Sequence, residues 1–458
     1  MVKTMETNAT PDLKGISRLQ KTSWRHIWSI SWPIFLANIT VPLIGAVDTA
    51  MMGHFPNLAY IGGVALGTLV FSFLYFGFSF LRMCTTGLVA QAHGRDDKAE
   101  IENLLIRGLI IALTLGSLVI LASPIIHIVT SQLLAASSSV EVQMTAYVEI
   151  RLFAAPAALG NMVLLGYLFG RQQMHLCMVQ IMVVNICNLL LNILFVIGFG
   201  MRIDGIALAS VAAQWLGFVF ILSLIGWQRR DNLRDLIAHL FKRNPSWFNL
   251  PAFGQFFSLG ADLIIRTFML LACEAILLNN AAVLGDMELA AAQLVIVMFG
   301  IIAFGLDGYA HAAEALVGDA IGRKDPVMLT LVIKRTNTLA CASSVLMGLI
   351  ILAGEMPIIG ALTNQKPLIE LTAQHWHWVA LMPFAAFLAF QMDGIFVGAT
   401  RSRDMRNAML VSTAIFLVFV WFAAPYGLSG LLAAFTLWLS MRGLTLWLLL
   451  PRIIRITI

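Results

Sequence analysis

Long apolar runs, punctuated by short charged segments, divide the whole chain. They fall near residues 29–53, 60–90, 103–130, 146–170, 176–199, 203–227, 253–284, 288–320, 330–353, 374–399, 407–425 and 428–450. Most reach the roughly 20 residues that a helix rising 1.5 Å per residue needs to cross a hydrocarbon core of about 30 Å. None shows the short alternating pattern of a barrel strand. A backbone in lipid must satisfy its polar groups internally, so continuous apolar runs of this length are helices. The pattern predicts an all-α membrane protein with twelve transmembrane helices.

Charge placement supports the same count. The N-terminal tail, the even-numbered loops, the flanks of the spans they join and the C-terminal tail together carry 23 Lys and Arg, whereas the odd-numbered loops carry only Arg202 and Lys366. Arg82, Arg151, Arg266 and Arg442 fall inside spans or at their ends. Basic loops stay cytoplasmic, so both termini are expected in the cytoplasm and the chain in the inner (plasma) membrane. One span too many or too few would scramble this alternation.

The chain also repeats itself. LVAQAHGRDD at 88–97 and LVGDAIGRKD at 316–325 agree at six of ten positions, at an offset of 228. The same offset pairs Arg107 with Arg335, and Gly166 and Gly170 with Gly394 and Gly398. GIALA at 205–209 matches GLLAA at 430–434 after a small gap. Six spans per half is an even number, so both halves insert in the same sense, as parallel repeats about an axis normal to the membrane. The expected organisation is a cytoplasmic tail (1–25), an N-lobe (26–227), a basic cytoplasmic linker (228–250) and a C-lobe (251–458), the lobes forming two pseudo-symmetric six-helix bundles. Duplicated lobes with a cavity between them suit alternating access.

Composition narrows the function. Hydrophobic residues make up 59% and charged residues 12%, against about 25% charged in soluble domains. The net charge of +5 is accounted for by the loops that orient the spans, so no nucleic-acid partner is expected. The five cysteines lie in or near apolar spans without a CxxC pair and read as small buried residues. A polar tail precedes the first span where a cleavable signal would differ. No nucleotide-binding P-loop and no hydrolase or zinc-protease motif appears. The chain is therefore expected to be no enzyme, to need no cofactor or metal, and to draw on an ion gradient.

Ionisable groups inside spans are costly and therefore candidates for function. Asp48 lies deep in the first span, downstream of Pro33 and Pro42, each of which removes a backbone donor and permits a bend. A buried carboxyl that gains and loses a proton changes its hydrogen-bond partners, which can change the shape of such a helix. Asn185, Asn188 and Asn192 fall on one face of the fifth span, and Asn38 and Asn161 add amides in the same half. Amides also serve as plain interhelical glue. In the second half, Asp262, Arg266 and Glu274 share a stripe of the seventh span. Asp262 and Arg266, one turn apart, are expected to be able to pair. Asp307, His311 and Glu314 share a face of the eighth span, and Asp393 lies in the tenth.

The segments VDTAMMGH (47–54), LVAQAHGRDD with its copy, LDGYAHAAEALVGDAIG (306–322) and DGIFVGATRSRDMRNAM (393–409) together resemble the multidrug and toxic compound extrusion (MATE) family. The last two look most like its DNA-damage-inducible branch. The resemblance implies a central cleft between two bundles, open to one side at a time. It implies export of amphipathic, often cationic, organic compounds in exchange for protons or sodium. Small amphipathic substrates and membrane lipids are the expected partners, and a monomer the expected state. In the related branch the first-span aspartate couples the ion, which lands on Asp48. The bend lands on Pro33, and the hydrogen-bonding asparagines on Asn161 and Asn188. Many relatives have an acidic residue where this chain has Asn192. With one carboxylate fewer, a sodium site is weakened while a single titratable acid still serves a proton, so proton coupling is the expectation and sodium the alternative. A flippase for lipid-linked precursors, needing a cationic cleft, is the other reading that Arg82, Arg266 and Arg442 leave open.

Overall fold

The computed structural model describes residues 22–52, 58–133, 137–228 and 247–457. Most of the N-terminal tail and of the linker therefore lies outside the described residues, which are almost wholly helical and contain no strand. The first half comprises α1 (Trp24–Met52), α2 (Leu58–Phe78), α3 (Phe80–Gly94), α4 (Lys98–Leu121), α5 (Ser123–Leu133), α6 (Ser138–Leu152), α7 (Ala155–Gly170), α8 (Met174–Asn192) and α9 (Ile203–Gln228). The second comprises α10 (Leu250–Leu284), α11 (Asp286–Gly322), α12 (Pro326–Ala353), α13 (Glu355–Leu362), α14 (Lys366–Gln374), α15 (Trp376–Gly398), α16 (Ser402–Ala423) and α17 (Gly427–Ile454).

These helices make twelve crossings. By length and apolar composition, eight stretches qualify outright. One of them, Ser402–Ile454, is 53 residues long, far more than one crossing needs. It is divided by a 3-10 turn at Ala424–Tyr426 and by Gly427 at φ +65° into α16 and α17. The pair α6 and α7, bent by 55°, forms another, its corner set where Pro156 starts α7. The remaining two are α1 and α10, 29 and 35 residues long. The second span is α2 continued by α3 after Ser79, whose hydroxyl donates to the Phe76 carbonyl at 2.7 Å.

The duplication extends to backbone conformation. Among the described residues, the four non-glycine positions with positive φ are Asp96, Gln172, Lys324 and Thr400, at φ 56°, 60°, 54° and 53°. They form two pairs at the 228 offset and stand just after α3, α7, α11 and α15. Left-handed residues of this kind close helix C-termini. After the first pair the next helix is capped alike: Asp97 accepts the Glu100 N–H at 3.0 Å and Asp325 the Met328 N–H at 2.9 Å. Such caps contribute about 1 kcal/mol.

The repeated arginines cross over between the halves. Arg107 on α4 donates to the Trp247 carbonyl at 2.8 Å, just before α10, and also binds Glu100 at 2.7 Å. Arg335 on α12 donates to the Thr22 carbonyl, just before α1. Each half thus holds the start of the other's first helix.

The halves meet along the repeated segments themselves. A Cβ on Gly94 would lie 2.2 Å from the Asp319 carbonyl oxygen, and one on Gly322 would lie 2.1 Å from that of Gln91. Gly318 faces Ala90, and Gly87 faces the Val397 carbonyl. The Gln91 amide donates to the Gly398 carbonyl at 3.0 Å and to Thr400 at 3.2 Å. Glycine here permits backbone-to-backbone contact between α3, α11 and α15. Closure lies at the end that carries the basic loops.

Candidate functional site: a charged cavity between the halves and an amide network beside it

Above the closed end a cavity of about 380 Å³ lies between α2 and α3 on one side and α10, α11, α15 and α17 on the other. Phe76, Phe299, Phe304, Phe390, Leu270 and Ile296 make much of its wall apolar. Four carboxylates face it, Glu274, Asp307, Glu314 and Asp393, with three guanidiniums, Arg82, Arg266 and Arg442, and His311. Lipid cannot neutralise such groups, so they are expected to neutralise one another.

Two clusters do so. Asp393 accepts from Arg266 and, at 3.1 Å, from Arg442. Glu314 receives Arg82 in bidentate fashion, Nη1 to Oε2 at 2.9 Å and Nη2 to Oε1 at 3.4 Å. The His311 Nδ1 lies 3.4 Å from Glu314 Oε1, and its ring stacks on Phe169 of α7 with centroids 4.8 Å apart. Among the described residues Asp307 forms no ion pair or hydrogen bond, although it opens into the same cavity.

The expected Asp262–Arg266 pair does not form. Asp262 accepts from Arg406 at 2.7 Å and from Ser402 at 2.8 Å. The start of α16 brings both donors beside Asp262, while Arg266, one turn deeper, meets Asp393. Asp262 thus leaves the polar site, whereas Arg266, Asp307, His311, Glu314 and Asp393 come together in it. Sequence reasoning gave Arg442 no partner and left Glu274 on a stripe without a role. A single arginine in the last span was the available signal for the first of these.

The asparagines of the first half form a second, smaller network. Asn161 on α7 donates to the Gln214 carbonyl and Oε1, both at 2.9 Å, and accepts from Gln180 at 3.0 Å. Asn188 donates to Ser210 at 3.2 Å, and Asn192 to Asn188 Oδ1 at 3.3 Å. Asn185, Asn188, Ser210 and Gln214 line a cavity of about 150 Å³ together with Tyr75 and Arg151. Gln180, Gln214 and Arg151 were not singled out as members of this network from the sequence. Asn38 reaches out of its own half and donates to the Phe304 carbonyl of α11 at 3.2 Å. Pro33 is buried within α1, which runs unbroken from Trp24 to Met52. Asp48 and Pro42 belong to that helix, but their side chains lie outside the described residues. The five cysteines are free thiols, with Cys84, Cys177 and Cys273 buried.

The MatE family model matches residues 33–195 and 263–422, once in each half. The chain belongs to the multidrug and toxic compound extrusion family. It is 34% identical over 431 residues to the DNA damage-inducible protein F of Escherichia coli, covering 93% of this chain and 91% of that protein. It is 26% identical over 307 residues to a probable multidrug resistance protein NorM of Neisseria meningitidis, covering 66% and 65%. Its fold matches a Vibrio cholerae MATE transporter with a TM-score of 0.85 at 16% identity, over 96% of this chain and 98% of that one. A Pyrococcus furiosus transporter of the MOP superfamily, described as having a binding pocket of reversed polarity, gives a TM-score of 0.84 at 17% identity, over 97% and 98%. The chain is thus a multi-pass membrane transporter of the MATE family, and the family is not enzymatic.

Proposed function

We propose that this MATE protein is a proton-coupled antiporter of the inner membrane that exports amphipathic, often cationic, organic compounds by alternating access. The observation that carries the reading is the charge balance of the central cavity. Four carboxylates oppose three guanidiniums in a largely apolar wall, leaving one negative charge in excess when the acids are ionised and His311 is neutral. An apolar wall with a residual negative charge suits a greasy cation. It suits a phosphate-bearing lipid headgroup poorly, because Arg82, Arg266 and Arg442 are each already bound to a carboxylate. The basic, closed end faces the cytoplasm under the positive-inside rule, so the cavity faces outward in this shape. The transporter works as a monomer within the lipid.

Coupling is assigned to Asp48, with the amides of Asn161, Asn188 and Asn192 supplying partners that a protonated and an ionised carboxyl would use differently. Pro33 and Pro42 give α1 freedom to bend. With Asn192 where a second acid would strengthen a sodium site, the proton is the coupling ion. The test is efflux of a fluorescent lipophilic cation from proteoliposomes under an imposed pH gradient. Asp48→Asn should abolish the proton-driven component while the protein remains folded; unchanged efflux would remove Asp48 from the mechanism. Efflux driven by sodium alone, at equal pH on both sides, would replace the proton with sodium.

A further inference from the structure

We propose that Asp307 is the anchor for the cationic group of the cargo, and that it makes the cavity selective for singly charged organic cations. The inference rests on the export reading above and names the residue of that cavity which carries it.

The charges of the cavity cancel everywhere but at Asp307. Arg82 on α3 is bound by Glu314 on α11. Arg266 on α10 is bound by Asp393 on α15. Arg442 on α17 also reaches Asp393, at 3.1 Å, so these two guanidiniums carry one positive charge more than their shared carboxylate. Glu274 on α10 is set against that surplus, since Arg442 is the charged group that acts on it. Three acids are thus matched to three guanidiniums. Asp307 has none left. Among the described residues it forms no ion pair or hydrogen bond, and Arg82, the guanidinium that acts on it, is held by Glu314. His311, one turn further along α11, turns its Nδ1 to Glu314 Oε1 at 3.4 Å. The Glu314 and Asp393 carboxylates deepen the negative potential at Asp307.

The excess negative charge of the cavity therefore sits on one group at one position. A carboxylate beside apolar walls is costly until a positive charge meets it. A monovalent cation brings the cavity to neutrality, whereas an anion adds to the excess and a dication reverses it.

The surroundings of Asp307 suit an organic body. Phe304 stands one turn before it on α11 and lines the same cavity, together with Phe76, Phe299 and Phe390. Aromatic faces attract positive charge as well as covering apolar carbon. A volume of about 380 Å³ falls in the range of pockets that enclose drug-sized molecules. The first helix touches the same turn of α11. Asn38 donates to the Phe304 carbonyl at 3.2 Å, and a Cβ on Gly308 would lie 2.9 Å from the Phe35 ring. The anchor is thus beside the helix to which coupling is assigned, where a bend in α1 bears directly on the place of the bound charge.

The test is equilibrium binding of tritiated tetraphenylphosphonium to the full chain in lipid nanodiscs at pH 8, with empty nanodiscs subtracted. The unaltered chain should bind it saturably. Asp307→Asn should weaken binding at least about tenfold, while its thermal unfolding shows that the fold remains. Asp307→Glu keeps the charge and should retain most of the affinity. Glu274→Gln removes the same charge from another wall of the cavity and should weaken binding clearly less than Asp307→Asn does.

Equal affinity in Asp307→Asn and the unaltered chain would overturn the anchor while leaving the export of cations standing. So would an equal loss in Glu274→Gln, because the summed charge and not Asp307 would then set the affinity. A loss in Asp307→Glu as large as in Asp307→Asn would also overturn it, since shape would outweigh charge. Absence of saturable binding in the unaltered chain would instead sink the cation-export reading and the anchor with it.

Discussion

Gly94→Ala is the sharpest probe of the junction between the halves. The new methyl carbon would sit 2.2 Å from the Asp319 carbonyl oxygen, 2.9 Å from its carbonyl carbon and 3.0 Å from its Cα. All three are backbone atoms of α11, so no side chain can swing away. Relief requires α3 and α11 to separate by about 1 Å, judged against ordinary non-bonded contact distances near 3.5 Å. Overpacking of this kind costs about 1–3 kcal/mol. The same methyl meets nothing once the helices part, so the cost falls on the shape with its basic end closed. That shape should lose population relative to the open one by roughly 5- to 150-fold. Pulsed electron–electron resonance between labels at Lys98 and Val327, exposed positions at the starts of α4 and α12, reads the separation directly. The distance distribution should shift to longer values. Gly77→Ala is the control, since it also stands in the last turn of its helix but a Cβ there meets nothing within 4 Å. The reasoning is refuted if both substitutions leave the same distribution as the unaltered chain.

Two further expectations concern stability. Asp393→Asn leaves Arg266 and Arg442 buried without their shared carboxylate and should destabilise the fold by about 3–5 kcal/mol, read by thermal unfolding in detergent. Asp307→Asn, which breaks no ion pair, should change it far less, and equal losses in the two variants would contradict the assigned pairing. Asn161→Ala strips partners from Gln180 and Gln214. It should cost about 1–3 kcal/mol by the same measurement; no loss would mean that neighbouring groups or water replace the amide.

What could be read in the sequence followed from its periodicity. Twelve apolar runs, the asymmetry of Lys and Arg, and the 228-residue offset are one-dimensional signals. The structure carries that offset down to the φ angles of Asp96 and Lys324. The choice of partners could not be read so. Arg266 has an acid one turn behind it, yet its carboxylate is Asp393, 127 residues further on. Local spacing makes a pair possible, but the approach of α15 and α16 decides it. The partner of Arg442 was hidden for a related reason: the arginine stands out in an apolar span, but nothing in its local sequence points to Asp393. For Asn161 the residue itself was legible, while Gln180 and Gln214, which complete its bonds, were hidden among many polar side chains.

The crossed arginine contacts bear on the order in which the molecule can be finished. During synthesis Arg107 already exists when Trp247 emerges, so the leading helix of the second half finds its holder waiting. Thr22 has the opposite fate, because Arg335 is made more than three hundred residues later. The first helix to enter the membrane is thus among the last to be secured at its leading end. Neither half, made as a separate polypeptide, could complete that end of its own bundle until the other arrived.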